Sequence, residues 1–127
     1  MKYSVDKHSD YSVFKLEDHN LNASLAPELK SQLVIFKNEG VSNLMIDMSN
    51  VKYVDSSGLS ALLTGKRLYK DYGSFVIFGI NSPVVKKVFE ISKLDEVLNI
   101  VPTREEAEDF VRMEQIERSL DVSDEEG

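Results

Sequence analysis

The sequence predicts an α/β fold, a single domain with a mixed, mostly parallel sheet of four to five strands packed by about four helices. Short apolar runs, typical of buried strands, alternate with longer segments whose apolar residues recur at helical spacing. Glycine, proline and capping residues separate the two kinds of segment. Strands that alternate with helices require crossover connections, and these make neighbouring strands parallel.

The first predicted strands lie at the N-terminus. Residues Tyr11 to Glu17 carry Val13, Phe14 and Leu16, and the earlier segment Tyr3 to Lys7 can pair with them as an antiparallel edge strand. Two further runs, Leu44–Met48 and Phe75–Phe78, are short and apolar, as expected of strands buried on both faces. The run Leu98–Val101 is a short strand candidate.

Capping and terminating residues predict where the helices begin and end. The segment Asn20–Ser24 is interpreted as a loop that leads to a first helix, which Gly40 ends. A second helix runs from about Ser57 to Tyr72. Ser82, followed by proline, caps a third helix. Thr103 opens a last helix with capping-box spacing.

Composition and charge narrow the function classes. The chain of 127 residues has no cysteine, which excludes disulfides, thiolate metal sites and cysteine nucleophiles. A formal net charge of −7 argues against nucleic acid as a partner. No apolar run is long enough for membrane insertion, and the first residues lack the apolar core of a signal peptide. We therefore expect a cytoplasmic protein with a domain over residues 1–118 and an acidic, disordered tail over residues 119–127.

The most specific stretch is Asp55-Ser56-Ser57-Gly58, which follows an apolar strand-like run and opens the second predicted helix. A hydroxyl pair at a helix N-terminus is well placed for phosphate chemistry. The simpler interpretation is that one of the serines caps the helix, and residue type alone favours it. The two roles are compatible, since Ser56 could cap the helix while Ser57 faces outward.

The surroundings of this motif resemble those of the STAS family, whose soluble members include bacterial anti-sigma factor antagonists. The resemblance covers roughly residues 3 to 113. It is carried by two segments, with weaker support from Ala26-Pro27-Glu28-Leu29, Gly73, Phe78-Gly79 and Glu106-Ala107. The two segments are Leu44-Met45-Ile46-Asp47-Met48-Ser49-Asn50-Val51 and Val54-Asp55-Ser56-Ser57-Gly58-Leu59.

The resemblance implies a binding protein without enzymatic activity, cofactor or metal. It implies that Ser57 is the phosphoacceptor for a partner that is both an anti-sigma factor and a serine kinase of histidine-kinase-like fold. Asp55 would position the loop and the partner contacts, Ser56 would support the loop geometry, and Gly58 would allow close approach of the kinase. The unphosphorylated chain would bind that partner, and a separate serine phosphatase would restore the binding form after phosphorylation.

The helix after the motif leaves two interpretations open for its leucines. At helical spacing, Ser60 begins a polar stripe, and Leu59 and Leu63 lie at the boundary between this stripe and the buried side. Both leucines could complete the core, which is the favoured interpretation. Alternatively, they could form an apolar lip beside Ser57 that docks on a partner.

Other chemistries have less support. A serine hydrolase would need His8 or His19 near Ser57 and a nucleophile elbow, and the Gly-x-Ser-x-Gly pattern is absent. Asp47 and Asp55 could suggest a metal or phospho-aspartate pair, but capping or loop hydrogen bonding is favoured for each. No glycine-rich phosphate-binding loop is present, so ATP should be bound by the partner. The alternative function is a STAS module that senses or carries a small ligand or lipid, or a structural subunit of a larger assembly.

Overall fold

The computed structural model describes the backbone of residues 1–126 and the side chains of residues 1–120. Four helices and a five-stranded mixed sheet confirm the predicted fold class. The strands are β1 (Tyr3–Lys7), β2 (Ser12–Leu16), β3 (Asn20–Leu21), β4 (Leu44–Asp47), β5 (Tyr53–Val54), β6 (Phe75–Phe78) and β7 (Asn99–Val101). The helices are α1 (Ala26–Asn38), α2 (Ser56–Tyr69), α3 (Pro83–Ser92) and α4 (Arg104–Glu126), with a 3-10 turn at Leu94–Glu96.

The main sheet has the strand order β1-β2-β4-β6-β7. Only the β1–β2 pair is antiparallel. One row of apolar residues crosses the parallel part, with Phe14 opposite Ile46, Ile46 opposite Ile77, and Ile77 opposite Ile100. This continuous register places the carboxyl ends of β4 and β6 at the same edge of the sheet.

The two faces of the sheet carry different cores, because successive strand residues point to opposite sides. On one face, Phe14, Ile46 and Ile77 pack with the buried residues of α1, α2 and α3. On the other face, a smaller cluster packs against Ala107 and Val111 of α4. The motif at the start of α2 and the long helix α4 therefore lie on opposite faces of the sheet.

The predicted helix ends are confirmed at three positions. Gly40 follows α1 with a φ of +88°, a backbone conformation that glycine adopts without strain. The Ser82 hydroxyl oxygen accepts a hydrogen bond from the Val85 N–H at 3.3 Å at the start of α3. The Thr103 hydroxyl oxygen accepts one from the Glu106 N–H at 3.2 Å at the start of α4.

Two features differ from the sequence interpretation. Helix α2 ends at Tyr69 and not near Tyr72. The segment Asn20–Ser24, interpreted as a loop, includes β3, which pairs in parallel with β5 in a separate two-stranded sheet. A strand of two residues is too short to show alternation, which explains why it was missed.

Helix α4 spans Arg104–Glu126 and so runs into residues 119–127, for which the acidic, disordered tail stays a prediction. The segment contains no proline or glycine that would end a helix before Gly127. Gly127 and the side chains of residues 121–127 lie outside the described residues. The domain boundary at residue 118 stays a prediction.

Candidate functional site

Asp55 organises the motif at the start of α2. One carboxylate oxygen, Oδ1, accepts a hydrogen bond from the Gly58 N–H at 2.9 Å, so Asp55 is the N-cap of the helix. The other, Oδ2, accepts one from the Ala23 N–H at 3.1 Å, in the loop before α1. A negative charge at this position is favoured by the helix dipole. Asp55 thus caps α2 and ties its first turn to the β3–α1 loop.

Neither serine of the motif caps the helix, which corrects the expectation that Ser56 could do so. Ser56 and Ser57 occupy the first two helical positions, after the Asp55 cap. Ser56 is exposed and Ser57 is half-buried. The first N–H groups of a helix have no hydrogen-bond partner within the helix. Here the Asp55 carboxylate accepts the hydrogen bond from the Gly58 N–H. A group attached to either serine would therefore meet the positive end of the helix.

Gly58 is required by packing inside the domain. A methyl group at this position would collide with the Leu21 carbonyl oxygen and would lie 2.8 Å from side-chain carbons of both Leu21 and Val54. Gly58 is buried, so it allows the close approach of the small β3–β5 sheet to α2. The structure gives Gly58 an internal packing role, and the close approach of a kinase that the resemblance implies for it stays a prediction.

The structure distinguishes the two leucines of α2. Leu59 is only 7% exposed and belongs to the core, as the favoured interpretation held. Leu63 is half-buried and packs against the same core. Ser60 lies at the half-buried edge, where its carbonyl accepts a hydrogen bond from the Thr64 hydroxyl at 3.1 Å. Of this group, Leu63 and Ser60 retain surface that a partner could contact.

A shallow depression of about 260 Å³ lies beside Ser57, between the N-terminal turns of α1 and α2. Its lining combines apolar residues and serines with one basic residue, Lys30 on α1. The lining residues are Ala23, Ala26, Pro27, Lys30, Ser56, Ser57 and Ser60. Lys30 is the residue that sequence reasoning missed, because only the packing of α1 against α2 brings it to the motif.

A second residue near the motif was also missed. Tyr53 lies on β5, two positions before Asp55, and its side chain is 59% exposed. Val54 points inward and is buried, so strand alternation directs Tyr53 outward. The sequence carried no signal for it, because a strand of two residues is too short to show alternation. Exposed tyrosines are over-represented in protein interfaces.

The remaining candidate groups form no second site. The Asp47 Oδ1 accepts a hydrogen bond from the Ser49 N–H at 2.9 Å, which confirms loop hydrogen bonding for this residue. His8 bonds to Asp6 at 3.0 Å and His19 to the Asn50 carbonyl at 3.0 Å, and neither lines the depression beside Ser57. Within the residues that the structure describes, no three histidine or acidic side chains are grouped as metal ligands would be.

The family model of the STAS domain matches residues 2–107, which is most of the chain. This protein belongs to the STAS domain family. The match includes the motif and every strand of the STAS fold described above, but ends early in α4.

Individual relatives agree with this assignment. The STAS protein is 29% identical over 94 residues to the anti-sigma-B factor antagonist of Staphylococcus epidermidis, covering 73% of this chain and 85% of that protein. It is 32% identical over 82 residues to the anti-sigma-B factor antagonist of Listeria monocytogenes, covering 63% and 70%.

A solved structure shows the same fold. The anti-sigma factor antagonist SpoIIAA in its unphosphorylated form has a TM-score of 0.71 at 23% identity, with 87% of this chain and 96% of that chain covered. The phosphorylated form of Bacillus SpoIIAA has a TM-score of 0.63 at 22% identity, with 87% and 99% covered.

Proposed function

We propose that this STAS protein is an anti-sigma factor antagonist controlled by phosphorylation of Ser57. Unphosphorylated, it binds an anti-sigma factor that is also a serine kinase of histidine-kinase-like fold, and so frees the sigma factor. Phosphorylation releases the kinase, and a separate serine phosphatase restores the binding form. The observation that carries the proposal is the accessible hydroxyl pair at the start of α2, held by Asp55, in a protein whose named relatives are anti-sigma factor antagonists.

The lining of the depression supports a substrate serine in place of a catalytic one. A nucleophilic serine needs a neighbouring base to remove its proton. The residues that line the depression beside Ser57 are serines, a lysine and apolar residues, and none of them is a histidine or an acidic residue. The Asp55 carboxylate is occupied by two backbone N–H groups. Ser57 is therefore suited to receive a phosphoryl group from an enzyme that docks over it.

The electrostatics of the motif indicate how phosphate would act. A phosphoserine adds nearly two negative charges at neutral pH. The N-terminus of α2 favours such charge, and Lys30 lies across the depression, so the local fold should tolerate the phosphate. A partner that buries Ser57, Tyr53 and the exposed Ala23 would instead have to remove the added negative charge from water inside its interface. Phosphorylation would thus weaken partner binding through repulsion and desolvation at the interface, while the domain remains folded.

Affinity capture followed by phosphosite mapping tests the proposal. Wild type, Ser57→Ala and Ser56→Ala proteins are immobilised, incubated with extract from the native cells and Mg-ATP, and analysed by mass spectrometry. We expect a histidine-kinase-fold protein to be retained on Ser57→Ala and largely released from the other two, with phosphate on Ser57 of wild type and of Ser56→Ala only. Phosphate on Ser56 of the Ser57→Ala protein, or no phosphate in any sample, would refute the assignment of Ser57.

A different depression gives some support to the alternative function, a module that senses or carries a small ligand. It has a volume of about 360 Å³, within the usual range for ligand pockets, and lies between α3 and β7. Phe89, Ile80 and Ile100 supply its apolar wall, and Lys86 and Asn81 supply polar groups. Mass spectrometry of gently purified protein distinguishes the two functions, because a non-covalent ligand adds mass only under native conditions, whereas a phosphate on Ser57 is covalent and remains after denaturation.

The cellular location that we propose follows from the proposed kinase partner. No helix among the described residues combines the length and apolar character needed to cross a membrane. A kinase that uses ATP works in the cytoplasm, so we propose the same location for this protein.

A further inference from the structure

The outward face of α4 carries an apolar stripe. Met113, Ile116 and Leu120 are 56%, 50% and 58% exposed, although each is a large apolar residue. Their spacing of three and four positions places them on one side of the helix. The buried residues Ala107 and Val111 lie on the opposite side, against the sheet. The stripe is therefore not part of the domain core.

The same helix holds the whole net charge of the chain. Residues 104–126 include ten acidic residues and three arginines, a net charge of −7 that equals the formal charge of all 127 residues. The rest of the chain is consequently neutral. Each arginine of α4 is already engaged within the domain. Arg104 contacts Asp6 at 2.8 Å, Arg112 contacts Asp109 at 3.1 Å, and Arg118 donates to the Asn43 side-chain oxygen at 3.1 Å.

The stripe also lies outside the part of the chain that the family model matches, which ends at residue 107. The STAS fold does not need these residues to cover its sheet, because Ala107 and Val111 already do so. An exposed apolar row with acidic flanks has the composition of a helix that binds in a groove of another protein. Apolar anchors contribute affinity in such complexes, and the flanking charges select the partner.

We propose that the outer face of α4, defined by Met113, Ile116 and Leu120, docks into an apolar groove rimmed by lysine and arginine on another protein. Charge decides among the possible occupants. A second copy of α4 would bring two helices of charge −7 together, and an anionic membrane would repel the same surface. An apolar groove with a cationic rim complements this surface, because the groove can bury the apolar stripe and the rim can pair with the acidic flanks. This surface is on the sheet face opposite the α2 motif, so it can act while Ser57 is engaged.

Designed peptides of leucine and lysine test this surface without knowledge of the partner. The probe is a labelled helical peptide with leucines on one face and lysines on the other, compared with a scrambled peptide of equal composition and with a leucine–glutamate helix. Fluorescence anisotropy measures binding to wild type, to Met113→Gln/Ile116→Gln/Leu120→Gln, and to the control Val84→Gln/Ile91→Gln. The control removes two exposed apolar residues of α3. Circular dichroism verifies that all variants are folded.

We expect wild type and the α3 control to bind the leucine–lysine helix at least tenfold more tightly than either comparison peptide. The α4 variant should bind the leucine–lysine helix at least tenfold more weakly than wild type does. Equal binding by wild type and the α4 variant, or equal binding of the scrambled peptide, would overturn the proposal. Two further results would also overturn it. These are dimerisation of wild type that the α4 substitutions abolish, and adsorption of wild type to phosphatidylglycerol vesicles.

Discussion

The Asp55 carboxylate bonds to the backbone N–H of Ala23, a residue 32 positions earlier in the chain, at 3.1 Å. The other oxygen of the same carboxylate caps α2 through Gly58 at 2.9 Å. One side chain therefore fixes both the first turn of the helix that carries Ser57 and the loop that forms the opposite wall of the depression. The docking surface is prepared before a partner arrives, which reduces the entropy lost on binding.

Removing this carboxylate should destabilise the domain. We expect Asp55→Ala to lower the free energy of unfolding by about 2 kcal/mol, because it removes a helix cap and leaves two backbone donors without their partner. Asp55→Asn keeps one acceptor oxygen and should cost less. Urea denaturation followed by circular dichroism measures both. A wild-type midpoint for Asp55→Ala would show that the two hydrogen bonds contribute nothing to stability.

Gly58 should tolerate no side chain. We expect Gly58→Ala to cost about 1–3 kcal/mol, the usual penalty for overpacking, since the new methyl group meets the Leu21 backbone. Ser60→Ala, a half-exposed change on the same helix, should stay within about 0.5 kcal/mol of wild type. The same urea titration compares them. If Gly58→Ala and Ser60→Ala have the same free energy of unfolding, α2 does not contact the small β3–β5 sheet closely at residue 58.

The sequence predicted the fold because its signals are local. Apolar runs such as Phe75–Phe78 and caps such as Ser82 identify strands and helix ends without knowledge of the rest of the chain. The motif was identified in the same way, but its details were not. Asp55 and Ser56 are both good capping residues, and only the backbone geometry decides between them. Lys30 joins the site through the packing of α1 against α2, which no local pattern encodes.

A negative charge at residue 57 should interact favourably with Lys30, which lines the same depression. We expect Ser57→Asp to be less destabilising than it would be without Lys30, with a coupling energy of about 0.2–1 kcal/mol. Thermal or urea unfolding of Ser57→Asp and Ser57→Asn, each with and without Lys30→Met, measures this term. Lys37→Met, near the other end of α1, is the matched control and should show no coupling. Equal coupling energies for Lys30 and Lys37 would show that Lys30 does not interact specifically with residue 57.

The junction between β1 and α4 should respond to acid. Hydrogen bonds from Arg104, and then from His8, hold the pKa of Asp6 below its ordinary value of 3.8. A carboxyl group with a lowered pKa in the folded state stabilises the fold above its ordinary pKa, and this contribution is lost as the pH falls through the folded value. The stability difference between wild type and Asp6→Asn should therefore be constant near neutral pH, begin to decrease near the ordinary pKa of 3.8, and disappear once the pH is below the lowered pKa of the folded state.

Thermal unfolding from pH 7 to pH 2.5 measures this difference. Arg104→Met should remove the same acid-dependent part, because it removes the main cause of the shift. A difference between wild type and Asp6→Asn that grows as the pH falls would have the wrong sign for this ion pair.

The most direct measurement of the central claim is the affinity of the captured kinase for this protein with and without phosphate on Ser57. Phosphoserine can be placed at position 57 during synthesis, and calorimetric titration compares it with wild type. We expect a loss of at least about 100-fold in affinity, since an unpaired charge in an interface costs several kcal/mol, with an unchanged circular dichroism spectrum. Equal affinity of the two forms, or unfolding of the phosphorylated one, would contradict an interface switch at Ser57.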